Sequence, residues 1–100
     1  MNEPVLPAAE VDAALEEQGL QWERHEQELV TTVKLADFAR ALEFVNAVGA
    51  AAEAANHHPD IDIRWNTVTL TLATHSAGGL TVLDLALAAA IDRLRPSREL

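Results

Sequence analysis

With 100 residues, 49% of them apolar, the chain has the length and carbon content of one domain built around one layered core. Sixteen acidic residues against seven basic ones leave a formal charge of −9, which argues against direct nucleic-acid binding and against attraction to an anionic membrane, since both depend on Lys and Arg meeting phosphate. No cysteine is present for disulfide or thiol chemistry, no basic–apolar leader opens the chain, and no run approaches the ~20 apolar residues of a bilayer span, so a soluble cytoplasmic protein is the expectation.

Residues 1–6 and 96–100 read as loose ends of a single domain over 1–100. Pro7 suits a first helical turn, Val11, Ala14 and Leu15 follow at helical spacing, and Gly19 is a stop. Leu20 to His25 and Glu28 to Leu35 read as two strands joined by a tight turn at Glu26 and Gln27. Asp37 can cap the next helix, whose apolar stripe runs through Phe38, Ala41, Leu42, Val45, Val48, Ala52 and Ala55. Gly49 lies inside it, and close packing on a neighbour is its simplest explanation. Pro59 forces His58 into extended geometry, so this helix ends by about His57.

Ile61, Ile63 and Trp65 alternate, and Val68, Leu70 and Leu72 alternate after Asn66-Thr67, which is a hairpin with one buried face. Thr69, Thr71, Ala73 and His75 fall on the opposite face by parity. Thr81 starts a last helix with a stripe of Leu83, Ala86, Leu87, Ala90, Ile91 and Leu94, closed by Pro96. With so few aromatics, Trp22, Phe38, Phe44 and Trp65 are each expected to anchor packing. The order α-β-β-α-β-β-α predicts an α+β, two-layer domain: a four-stranded antiparallel sheet with helices on one face.

Three of the four histidines, His57, His58 and His75, fall near Glu53, Pro59, Trp65 and Asp84. Imidazole alone among side chains has an ordinary pKa, ~6.5, near neutrality. Scattered surface histidines fit the spacing. A three-histidine zinc site fits less well, because the i, i+4 helical pairing of ligands is missing. Metal-free acid–base catalysis also fits, since several imidazoles in one pocket supply both a proton donor and an acceptor. Glu53, one turn before His57, can orient it, although residue type alone favours an ordinary solvated position. Thr81-x-x-Asp84 has the form of a capping box, which accounts for Asp84 without chemistry. His25, in a charged turn beside Arg24 and Glu26, reads as solvated.

The run Glu53-Ala-Ala-Asn-His57-His58-Pro59, then Trp65, Thr74-His75, Gly79-Leu80-Thr81 and Asp84, resembles the signature of the pterin-4a-carbinolamine dehydratase family. Gly19-Leu-Gln-Trp22 and Phe38-x-x-Ala41-x-x-Phe44 extend the resemblance over roughly Ala8 to Leu94. It implies a hydro-lyase that turns 4a-hydroxytetrahydropterin into quinonoid dihydropterin and water, in the recycling of tetrahydrobiopterin spent by an aromatic amino acid hydroxylase. It further implies no metal and no bound cofactor, the pterin being the substrate, and a homodimer or homotetramer. His57, His58 and His75 are then catalytic, with His57 at the hydroxyl, Glu53 orienting it, His75 making the complementary proton transfer and His58 positioning the pterin. Pro59, Trp65, Thr74 and Asp84 are the matching substrate contacts, with Trp65 leaning to the core and only an edge exposed. The alternative is a non-catalytic binding or assembly protein of the same fold.

Overall fold

In the computed structural model, which describes residues 3–96, seven elements follow one another as α1 (Ala8–Glu17), β1 (Glu23–His25), β2 (Glu28–Lys34), α2 (Phe38–Ala55), β3 (Asp60–Arg64), β4 (Thr67–Leu72) and α3 (Val82–Asp92). The sheet order is β1-β2-β4-β3 and every pairing is antiparallel. The α+β class and the element order are thus those the sequence pattern predicts.

Alternation along β2 and β4 sends Leu29, Val33, Val68, Leu70 and Leu72 into one core. That core also takes Val11 and Leu15 from α1, Phe44 and Val48 from α2, and Leu87 and Ile91 from α3, so the helices share one face of the sheet. Fully burying one such side chain stabilises the fold by about 1.5–3 kcal/mol. No helix among the described residues is long and apolar enough to cross a membrane.

β1 is shorter than expected. Gln21 N–H donates to Asp92 Oδ2 and the Trp22 indole to Asp92 Oδ1, both at 2.8 Å, so these two residues bind the end of α3 and leave only three for the ladder. The Glu26-Gln27 turn stands, with Glu26 at φ 56°.

Asp37 caps α2 by accepting from Arg40 N–H at 2.8 Å. The buried stripe is Ala41, Phe44, Val48 and Ala52, whereas Phe38 is 48% and Leu42 40% exposed. Those two lie on the flank of a helix that turns about 100° per residue, outside the narrow strip the sheet covers. Trp22 and Phe44 are packing anchors; Phe38 and Trp65 are not. The packing explanation of Gly49 also fails, because a Cβ there would meet nothing within 4 Å.

The β3–β4 turn falls one residue earlier than expected. Arg64 pairs with Thr67, so Trp65 and Asn66 make the turn, with Trp65 at φ 53° and 69% exposed. Asn66 decides this: buried, it donates from its side chain to Leu35 O at 2.9 Å, and its own carbonyl accepts from Leu35 N–H at 2.7 Å. In α3 the buried face is Asp84, Leu87, Ala88 and Ile91, while Leu83, Ala86 and Leu94 of the expected stripe are exposed. The helix ends at Asp92, before Pro96. At the start of the chain Leu6 is not loose: its N–H donates to Leu80 O at 2.8 Å. Residues 1–2 and 97–100 of the expected loose ends lie outside the described residues.

Candidate active site

Asn56 ends α2 in the left-handed conformation, φ 50° and ψ 43°, and His57 N–H folds back to Ala52 O at 3.1 Å. This Schellman-like closure turns the chain sharply. The His57 ring is thereby carried inward between α2 and α3, where its side chain is only 11% exposed. His58, next along an extended segment, faces outward, since neighbouring side chains there alternate in direction.

His57 Nε2 lies 2.6 Å from Asp84 Oδ1, and the Asp84 side chain is wholly buried. The other oxygen, Oδ2, accepts from Thr74 Oγ1 at 2.7 Å and from Thr81 N–H at 2.9 Å. Thr74 Oγ1 and Thr81 Oγ1 are 2.8 Å apart, and Thr81 Oγ1 accepts from Leu83 N–H at 3.2 Å. A carboxylate only accepts, so every proton in this cluster is assigned. Nε2–H of His57 and the Thr74 hydroxyl both donate to Asp84, and the Thr81 hydroxyl donates to Thr74. The buried charge meets three donors at the positive end of the α3 dipole, which is what makes an interior carboxylate tolerable.

The expected capping box is present, and Asp84 does more than cap. Capping uses Oδ2 and leaves Oδ1 for the imidazole. Thr74 and Asp84 are both buried, and their side-chain oxygens are engaged with each other, with Thr81 and with His57. Glu53 does not orient His57. Its Oε2 lies 2.5 Å from His58 Nε2, with both side chains exposed. The left-handed residue at 56 explains the exchange, because it removes His57 from the helix face that Glu53 occupies.

His75 is exposed in the turn after β4, and its carbonyl accepts from Gly78 N–H at 3.1 Å. Its neighbour Thr74 shares Asp84 with His57, and Asp60 pairs with Thr71, so the end of α2 and the exit of β4 meet on one rim. Pro59 is half-buried at that rim. Trp65 is not brought there. It stands at the far turn of the hairpin, five residues beyond Asp60, or about 16 Å at ~3.3 Å per residue. His25 lies apart from the cluster, exposed and 3.1 Å from Glu23.

Beside His57 a groove of about 400 Å³ opens between α2 and α3, walled by Ala51, Ala54, Leu83, Ala86 and Ala90. No buried side-chain nitrogen or oxygen among the described residues lacks a hydrogen-bond partner, and His57 Nδ1 makes no hydrogen bond, so Nδ1 reaches the surface. A depression of the same size over Leu35, Phe44 and Leu94 has Arg40 and Glu43 on its wall and no histidine. Among the described residues no three His, Asp or Glu side chains converge as a metal-holding group. Sequence reasoning missed the His57–Asp84 bond. Its one available signal was the capping box itself, in which a two-oxygen residue fills a one-oxygen role.

A family model described as pterin 4 alpha carbinolamine dehydratase matches residues 4–94. A Chloroflexus aurantiacus protein (strain J-10-fl), provisionally named pterin-4-alpha-carbinolamine dehydratase, is 52% identical over 91 residues, covering 91% of this chain and 97% of its own. A Mycobacterium protein (strain KMS) with the same provisional name is 51% identical over 90 residues, 90% of this chain and 95% of its own. The crystal structure of a transcriptional coactivator/pterin dehydratase from Brucella melitensis superposes with a TM-score of 0.85 at 30% identity, over 92% of this chain and 99% of that one. A pterin dehydratase-like protein described as a RuBisCO assembly factor in the alpha-carboxysome gives a TM-score of 0.63 at 24% identity, over 79% of this chain and 92% of that one, a likeness of fold alone.

Proposed function

The chain belongs to the pterin 4 alpha carbinolamine dehydratase family, and from that membership we propose that it is a hydro-lyase acting on 4a-hydroxytetrahydropterin by histidine acid–base catalysis. The supporting observation is His57, with Nε2–H committed to a buried carboxylate and Nδ1 open beside a groove. Fixing the ring and its tautomer in this way leaves one nitrogen for proton exchange.

Dehydration breaks the C4a–O bond. The departing oxygen takes up one proton to leave as water, and a ring nitrogen gives one up as the quinonoid product forms, so a proton is delivered and a proton withdrawn. His57 takes up a second proton at Nδ1, the resulting imidazolium being balanced by Asp84, and delivers it to the departing 4a hydroxyl. His75, exposed on the same rim, makes the complementary transfer. His58, steadied by Glu53, positions the pterin with Pro59. General catalysis of this kind is worth ~10²–10⁴ in rate, or about 3–5 kcal/mol of barrier. The balance calls for no metal and no cofactor, and the reaction fits the recycling of tetrahydrobiopterin in the cytoplasm. The open edge of β3 and the exposed Phe38 and Leu42 support a homodimer or homotetramer.

Stopped-flow absorbance on chemically generated carbinolamine is the test. The folded protein is expected to dehydrate it faster than buffer, and His57→Ala to reduce the rate by roughly 10² or more. Folded wild-type protein giving only the buffer rate overturns the proposal. A stable co-purifying partner beside that inactivity supports the alternative, a non-catalytic assembly protein of this fold.

A further inference from the structure

His57 and His75 stand on separate elements, one at the end of α2 and the other in the turn after β4. Acid–base work on one substrate needs the two rings held in a fixed relation, since small misplacements of catalytic groups are costly. His75 has no burial to hold it, being exposed in a turn that also contains Gly78 and Gly79. The hydrogen bonds of that turn converge on its first residue, Thr74. The Thr74 N–H donates to Gly79 O at 3.1 Å, and the Thr74 carbonyl accepts from Ala77 N–H and from Gly78 N–H, both at 3.0 Å.

The Thr74 side chain leads the other way, into the protein. It is buried, and its hydroxyl donates to Asp84 Oδ2 at 2.7 Å while standing 2.8 Å from the Thr81 hydroxyl. Asp84 Oδ1 in turn takes Nε2–H of His57 at 2.6 Å. An unbroken path therefore joins the imidazoles: His57 to Asp84, Asp84 to the Thr74 hydroxyl, and Thr74 to His75 along the chain. A hydrogen bond to a carboxylate is roughly twice as strong as one between neutral groups, so this link is firmer than the backbone bonds that shape the turn.

We infer that Thr74 is a positioning residue, whose hydroxyl ties the His75 turn to the carboxylate that steadies His57 and so fixes the relative placement of the two imidazoles. The inference rests on the dehydratase reading above.

The test is stopped-flow turnover of the carbinolamine by wild type, Thr74→Val and Thr74→Ser, with amide hydrogen exchange on each folded protein. Valine keeps the shape and the branch at Cβ but deletes the hydroxyl, whereas serine keeps the hydroxyl. In Thr74→Val, kcat is expected to fall about 10- to 100-fold with KM within about twofold. Thr74→Ser is expected to recover kcat to within about threefold of wild type. The amides of Ala77 and Gly78 should exchange about tenfold faster in the valine variant than in the other two. Ile91→Val, a core deletion toward the far end of α3, is the stability control and should leave kcat within about twofold. Thr74→Ala carries the same comparison if valine prevents folding. Turnover of Thr74→Val within about twofold of wild type overturns the inference. An equal loss in Ile91→Val also overturns it, by assigning the effect to stability. So does a rise in KM with kcat unchanged, which makes the hydroxyl a substrate contact. Unchanged exchange at Ala77 and Gly78 beside a lowered kcat overturns the tether to the turn. In all of these cases wild type is active and the dehydratase reading stands. Inert wild-type protein sinks that reading and the positioning role together.

Discussion

Replacing Asp84 with asparagine alters one atom and, through it, the whole proton pattern of the cluster. In Asp84→Asn the oxygen at the Oδ2 position can still accept from Thr74 and Thr81, so the first turn of α3 keeps its cap. The amide nitrogen then faces His57 Nε2 at the present 2.6 Å contact. Two donors cannot face each other, so the imidazole must move its proton to Nδ1, and the nitrogen at the groove loses its lone pair. Opposite an amide the ring cannot take a second proton, and a neutral imidazole is a far weaker acid at Nδ1, so kcat is expected to fall by ~10²–10⁴. Three hydrogen bonds to a charged acceptor become neutral ones or are lost, at about 1 kcal/mol each, so unfolding free energy should fall by roughly 2–4 kcal/mol. That is a large share of the ~5–15 kcal/mol typical of a domain, and it is why asparagine is preferable to alanine, which strands all three donors. Stopped-flow turnover, urea unfolding and the nitrogen-15 shifts of the His57 ring together read the effect. The reasoning is refuted if the folded variant keeps its proton on Nε2, or if it turns over at the wild-type rate with Nδ1 protonated.

Gly49→Ala should raise stability by about 0.5–1 kcal/mol, because the site is helical and a Cβ meets nothing within 4 Å; an unchanged or lower urea midpoint refutes this. Trp65→Asn should leave turnover within about twofold and stability equal or slightly higher, since asparagine tolerates the left-handed backbone there better than tryptophan; a large loss of turnover would bring the indole into a neighbouring copy's site. Asp12 takes hydrogen bonds from Arg24 at 2.7 and 3.1 Å, which hold its carboxyl below the usual carboxylate range. A folded-state value lowered in this way stabilises above the unfolded pKa of ~3.9, and the contribution disappears as pH falls through the lower folded value. Asp12→Asn should therefore lower the urea midpoint at pH 7 and shift it less at pH 3, and equal shifts at both pH values would refute the linkage.

The fold was legible because period-2 and period-3.6 patterns alternate along the chain and the helix boundaries carry marked residues: Gly19, Asp37, Pro59 and Thr81. Which apolar residues would be covered was less legible. Phe38, Leu42, Leu83 and Leu94 keep helical spacing yet lie off the contact strip, whose width depends on how far the sheet extends beneath each helix. Trp65 was misplaced because strand alternation was carried one residue into the turn, when the side chain that pins that turn is Asn66 reaching across to Leu35. At the site, the residues were legible and their partners were not. Glu53 and His57 are a helical turn apart on paper, but the left-handed Asn56 breaks the geometry on which that pairing depends. The bond from Asp84 to His57 joins positions 27 apart, a relation that exists only once α3 has docked on α2.

Because one carboxylate both starts α3 and steadies His57, local melting and loss of chemistry become a single event. Fraying of the first turn of α3 releases the imidazole before the rest of the molecule loosens, so heat or mild denaturant should silence turnover ahead of the global transition. The amides of Thr81 and Leu83, which the same cluster holds, become reporters of the ring: their hydrogen exchange should slow whenever a ligand settles on His57.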